Sequence, residues 1–179
     1  MANYSIANTT AAGAGQAQQN LTSTYKTLVA VAASTLGGAT VGSQLRRGKI
    51  YDILIGTNGT PADNVLEFDV IRATIGATVT VAGSISSVSS NYLIDTADTG
   101  FVAYALINSS NEGNITAVSG EPWYEGLNQR ASYRWVANPG SELVYPAVSS
   151  ATGGNGLALR ARSPGYTGTA TGNILFQEQ

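Results

Sequence analysis

LNQRASYRWVANPGSELVYPAVSSATGGNGLALRARSPGYTGTATGNILF, residues 127–176, decides the fold of this chain. Three short runs within it, RASYRWVA, ELVYP and GLALRARS, have the alternation of extended chain. They are separated by Pro, Gly and Asn, the residues that carry turn chemistry. In GLALRARS, Leu157 and Leu159 fall on one face of a strand and Arg160 and Arg162 on the other. The segment holds aromatic residues and arginines but no His, no Cys and a single carboxylate, Glu142. That is the material of an interface rather than of an active site.

The same grammar extends upstream. In TYKTLVAVA, Tyr25, Thr27, Val29 and Val31 alternate with Lys26, Leu28 and Ala30, and both sets are largely apolar, as in a strand inside a sandwich. In RRGKIYDILIG, strict alternation sends Tyr51, Ile53 and Ile55 one way and Ile50, Asp52 and Leu54 the other. TNGTPADN is a loop, because Asn58-Gly59 is a turn dipeptide and Pro61 removes a backbone donor. VLEFDVIRAT is the cleanest half-buried strand, with Leu66, Phe68 and Val70 inward and Glu67 and Asp69 on a solvated face. FVAYALINSS and NITAVSG read as strands, EPWYEGLN (121–128) as an aromatic-bearing loop, and TGNILFQEQ as a closing strand. Eight to ten strands and no helical period predict an all-β, jelly-roll-like antiparallel β-sandwich. Residues 1–23, rich in Ala, Gly, Gln and Asn, are expected to be a flexible N-terminal arm, and residues 24–179 a single sandwich domain.

Composition narrows the function. The chain has 179 residues, enough for one domain with a real core. Only 11% are charged and the net charge is −2, which argues against nucleic acid as a partner, since a phosphate backbone calls for basic excess. No apolar run approaches the length of a membrane span, and the N-terminus lacks the pattern of a secretory signal. There is no Cys, hence neither a disulfide framework nor a thiolate metal site. Six Asn-x-Ser/Thr triplets begin at Asn3, Asn8, Asn20, Asn58, Asn108 and Asn114, as chance allows in an Asn/Ser/Thr-rich chain.

The absence of His removes the Ser-His-Asp and Cys-His arrangements and the commonest metal ligand. Glu121 and Glu125 flank Trp123 and Tyr124, as carboxylates and aromatics do in glycosidases, although a polar loop with interface aromatics accounts for them equally well. Asp95 and Asp98 lack the ligand spacing of a calcium loop, and GGNG leads into a strand rather than opening a helix, so it is no dinucleotide fingerprint. No catalytic set, metal site or cofactor is expected. Arginines outnumber lysines seven to two, and several adjoin aromatic residues, the combination enriched at binding hot spots. The candidate oligomer or partner contacts are Arg46, Arg47, Trp123, Tyr124, Arg130, Arg134, Arg160, Arg162 and Tyr166. Trp135 and Tyr133, alternating within a strand, read as core.

Two blocks, RRGKIYDILIGTNGTPADNVLEFDVIR (46–72) and LNQRASYRWVANPGSELVYPA with GLALRARSPGYTG (127–168), resemble segments of tailed-bacteriophage capsid decoration, or cement, proteins. They cover about a third of the chain. The resemblance implies a homo-oligomer, a trimer above all, that is made in the host cytoplasm. It would sit on the exterior of the virion at junctions between major capsid protein subunits and brace the shell. On this view residues 1–23 order on a neighbour or on the capsid, and deleting residues 2–20 weakens binding while leaving the fold intact. The alternative from a different class is a carbohydrate-binding β-sandwich used in adhesion, with Trp123, Tyr124 and Tyr166 as stacking platforms.

Overall fold

The computed structural model describes residues 2–8, 19–32, 47–57, 60, 62–76, 84–85, 104–107, 112, 115–146, 149–150, 153–165 and 167–178. Every regular element among them is a strand: β1 (Ala2–Ala7), β2 (Gln19–Leu21), β3 (Lys26–Ala32), β4 (Gly48–Thr57), β5 (Val65–Gly76), β6 (Ser84–Ile85), β7 (Tyr104–Ile107), β8 (Ile115–Asn128), β9 (Tyr133–Val136), β10 (Leu143–Tyr145), β11 (Ser149–Ser150), β12 (Gly153–Arg162) and β13 (Gly168–Glu178). They form two antiparallel sheets packed face to face. One has the order β1-β13-β4-β10, with β2 continuing the line of β1 along β13 and β9 the line of β10 along β4. The other has the order β6-β7-β3-β12-β5-β8, with β11 on β12.

The pairings are nested. Ala2 opposes Glu178, Val31 opposes Leu157, Ile50 opposes Leu143 and Val70 opposes Trp123. The chain thus behaves as one long hairpin folded about its middle and wrapped so that strands alternate between sheets. That is the jelly roll the sequence predicts, with β6 and β7 added at one margin.

The alternation explains the core. In β13 every second residue is buried over the whole strand, and Ala170, Ile174 and Phe176 meet Leu28, Val29, Val31, Phe68, Val70, Leu157 and Leu159 from the facing sheet. A second apolar cluster, with Ile71, Ala73, Ile75 and Ala158 among its members, lies on the reverse face of the seven-stranded sheet and is buried as well. Arg72, on the inward side with Leu157, donates from Nη1 to the Val144 carbonyl at 2.6 Å and so ties the two sheets together.

Three sequence expectations are corrected. First, the described part of residues 1–23 is not a flexible arm. β1 and β2 complete the edge of the six-stranded sheet, and Tyr4, Ile6 and Leu21 are fully buried. Just past β1, Asn8 binds β13 through its side chain, which accepts from the Gly172 N–H and donates to the Ala170 carbonyl. A segment too poor in apolar residues to form a core alone contributes instead to one built elsewhere. Second, Ile50 faces the core with Ile53 and Ile55. The pairing of β4 with β13 shifts register beside Tyr51, as Phe176 opposes Ile50 and Leu175 opposes Asp52. A bulge inserts one residue and reverses the parity that strict alternation assumes. Third, EPWYEGLN is strand, the second half of β8. β8 ends the order of its sheet, a position that tolerates Pro122, and a register break near Gly120, at φ 36°, separates its two halves.

Two glycines are fixed by close approach. A Cβ on Gly48 would lie 2.1 Å from the Tyr145 ring, and one on Gly156 would lie 2.1 Å from the Val31 carbonyl oxygen. The second obstacle is backbone in the centre of a sheet and cannot turn aside.

Two substitutions test this account. Tyr4→Ala is expected to cost about 3–5 kcal/mol, as truncation of a large buried aromatic does, and deletion of residues 2–8 at least as much. Gly156→Ala is expected to cost about 1–3 kcal/mol through overpacking. Urea unfolding midpoints measure both; a Tyr4→Ala midpoint equal to wild type would mean that β1 contributes nothing to the fold.

Candidate interaction surface

The outer face of β3, β12, β5 and β8 carries an ordered row of polar groups. Cross-strand register places Thr27, Arg160, Asp69 and Tyr124 side by side on four adjacent strands. In the next row Arg162 stands opposite Glu67, and Glu67 opposite Gly126. The cause is local and simple. Arg160 and Arg162 are two apart on β12, Glu67 and Asp69 are two apart on β5, and antiparallel pairing brings the two sets to the same face with opposite charges aligned.

The contacts are strong. Asp69 is fully buried, and Arg160 grips it through both Nε, at 3.0 Å from Oδ1, and Nη2. Arg162 pairs through Nε with Glu67. Tyr25, just before β3, lies under both guanidinium groups, whose central carbons are 4.5 and 4.8 Å from its ring centroid. At the other end, the Thr27 backbone N–H and hydroxyl both donate to the Glu112 carboxylate at 2.7 Å. Burial pushes the Asp69 carboxyl above its ordinary value although Arg160 pulls it down. Burial, reinforced by the Asp69 charge, pushes the Tyr25 phenol up to about 12. The row is a rigid, internally compensated network. Beside it Tyr124 is 53% exposed and Val65 52% exposed, with Gly126 leaving a gap next to Val65.

Of the residues singled out from sequence, Arg160, Arg162 and Tyr124 come together here. Trp123 does not join them: its side chain belongs to the core and stacks on Tyr133 with ring centroids 6.4 Å apart, which corrects its assignment as an exposed interface residue. Adjacent residues of a strand point to opposite faces, and here Tyr124 takes the outer face and Trp123 the core. The reading of Glu67 and Asp69 as a solvated face is corrected too, since Asp69 is sealed beneath Arg160. Trp135 packs against the core as expected, whereas Tyr133, also read as core, is exposed. Arg134 lies on the other sheet and clamps the buried Asp52, with Nη2 2.5 Å from Oδ2. Arg130 forms an exposed pair with Asp63 at 2.7 Å, and Arg47 is exposed just before β4. Arg46 and Tyr166 lie outside the described residues. The sequence reading missed Tyr25, whose role is set by two arginines more than a hundred positions away.

No group of three or more acidic, His or Cys residues suited to a metal ion occurs among the described residues. No protein-family description, curated protein or solved structure matches the chain. What the fold and surface define is an all-β jelly-roll domain with a charge-paired, aromatic outer face.

Removing Asp69 leaves Arg160 uncompensated in a largely dry site, so Asp69→Ala is expected to lose about 3–5 kcal/mol. Asp63→Ala, at an exposed pair, is expected to stay within about 1 kcal/mol of wild type. Equal effects in chemical denaturation would overturn the distinction. Tyr25 gives a pH test. The folded protein holds this proton longer than the unfolded chain, whose phenol has the ordinary value of 10.0, so stability falls as pH rises from there towards about 12. The difference in tyrosinate absorbance between wild type and Tyr25→Phe should place the missing titration near the upper value.

Proposed function

We propose that this protein is a structural virion component, a decoration or cement protein that binds the outside of a phage head at junctions between major capsid protein subunits. The observation that carries the proposal is the outer face just described. Its polar groups are consumed in pairing with one another, which suits rigid recognition, and Tyr124 and Val65 stand proud of that frame. Preorganised Arg–Tyr clusters with an exposed aromatic are the composition of binding hot spots. The resemblance of residues 46–72 and 127–168 to cement proteins supplies the partner, and jelly rolls recur in viral capsid proteins, although a fold alone assigns no function.

The mechanism is linkage. A protein that binds the assembled lattice and not the free subunits stabilises the lattice by mass action. A homo-oligomer, such as the trimer the resemblance implies, would engage several subunits at once and gain avidity without new contacts. The role once assigned to an N-terminal arm is not needed for this, because β1 and β2 are spoken for by the sandwich.

The competing readings lose support. A saccharide platform built on Trp123, Tyr124 and Tyr166 keeps the exposed Tyr124 but loses Trp123 to the core. A hydrolase needs its carboxyl pair in a cleft, whereas Glu121 and Glu125 lie on β8, the end strand of its sheet, with Glu121 exposed.

Capsids lacking the protein provide the test. Wild type should co-sediment with them and raise their resistance to heat, and Tyr124→Ala should weaken binding about tenfold or more, as loss of an aromatic hot spot does. Val136→Ser, on the outer face of the other sheet, should bind as wild type. Absence of any capsid association would end the proposal; loss of binding with Val136→Ser but not with Tyr124→Ala would move the contact to the opposite face.

A further inference from the structure

On the reverse side of the molecule, across the outer face of the six-stranded sheet, lies an open groove of about 640 Å³. Leu54 and Gly56 of β4 and Thr171 and Asn173 of β13 form its floor, and the turn carrying Arg130 and Ser132 forms one wall. The wall is pinned. Buried Gln129 accepts the Ala62 N–H on its side-chain oxygen at 2.8 Å, donates its own N–H to the Asn64 carbonyl at 2.9 Å and accepts the Thr57 hydroxyl on its carbonyl. The floor is pinned as well, since the Asn173 side-chain oxygen accepts from Ser5. A site already held in shape loses little freedom when a ligand arrives.

The chemistry of this groove narrows its ligand. The described lining residues include no carboxylate, and Asp63, beside the wall, is already paired with Arg130, so a metal ion or a basic peptide finds no uncompensated counter-charge. They include one cation, Arg130, too few for a polyanion. An extended peptide adding a strand needs an open backbone edge; beside Thr171 and Gly172 that edge is closed by Asn8, whose N–H donates to the Gly172 carbonyl at 3.1 Å and whose side chain makes the two bonds described above. What remains is a set of hydroxyl and amide groups around Leu54, an aliphatic side chain 44% exposed. Hydroxyls and amides meet sugar hydroxyls as both donors and acceptors, and the apolar floor meets the C–H face of a pyranose.

We propose that this groove binds an oligosaccharide chain, with the Arg130 guanidinium, held only by its exposed pair with Asp63, exchanging that partner for the carboxylate of an acidic sugar such as a uronate. The site is separate from the surface proposed for the capsid and uses none of the same residues. A decoration protein with both would hold the shell with one sheet and present a saccharide-binding groove on the other.

The test uses the whole chain on an array of neutral and uronate-containing oligosaccharides, followed by calorimetry with the retained ligands. Wild type should retain a subset at about 1 mM or below, a useful lower bound on affinity. Gly56→Ala is the informative variant. Its methyl would lie 3.5 Å from the Thr171 hydroxyl and 3.8 Å from the Ser132 Cβ, ordinary contacts that spare the fold while filling the floor. It should weaken binding about fivefold or more with an unchanged melting temperature. Arg130→Gln, at an exposed position, should remove the preference for uronate chains over neutral ones. Tyr124→Ala should leave saccharide binding unchanged, and neither groove variant should alter capsid co-sedimentation, so failure here and failure of the capsid reading are distinguishable. No retained saccharide, or binding indifferent to both groove variants, overturns the proposal.

Discussion

The structure depends on β13. It pairs with β1 and β2 along one edge and with β4 along the other, so the last strand of the chain is inserted between strands near its beginning. Its burial pattern has period two without interruption. A slip of one residue would therefore turn Ile174 and Phe176 to water and Asn173 and Leu175 to the core. The neighbouring strands inherit this constraint. The sandwich cannot close until residues far apart in sequence have met. Such topology makes for slow folding, and it also makes residues 2–8 part of the sandwich rather than an appendage.

The paired charges on the other sheet follow a different physical rule. Arg160 with Asp69 and Arg162 with Glu67 cost desolvation to assemble, and a buried pair is weak support for stability by itself. What the pairs provide is registry. If β12 slid along β5, like would face nothing and Asp69 would be buried without a partner. The same row aligns Tyr25 beneath two cations and leaves Tyr124 exposed at the margin. The network thus fixes the geometry of a recognition surface with few mobile parts, as a binding protein requires and as a catalytic site, which needs unsatisfied reactive groups, does not.

The two outer faces of the molecule have different chemistry. One is occupied by internally satisfied ion pairs with aromatic relief. The other has a hydroxyl- and amide-lined groove with the exposed Arg130–Asp63 pair at its wall, held in shape by the buried Gln129 and Asn8. A sandwich of two sheets provides two such faces with no mechanical conflict between them, because the hydrophobic layer in the middle separates their requirements.

By itself the sequence determined the class of fold. Alternation in VLEFDVIRAT, GLALRARS and TGNILF is a local property of extended chain, and turn residues between the runs are local too, so all-β architecture, the inward Leu66, Phe68, Val70, Leu157 and Leu159, and the absence of a His-based site were all legible. The tertiary structure alone decided which strand lies beside which, and with that the surface. Glu67, Asp69, Arg160 and Arg162 are plain in the sequence, but their pairing spans more than ninety positions and depends on register. The bulge beside Tyr51 shifted Ile50 into the core, the edge position of β8 made a strand of a stretch containing proline, and the free edge of β13 turned a polar N-terminus into sheet. In each case the deciding energy, whether a hydrogen bond to a distant strand or burial against one, comes from a neighbour that no local pattern names.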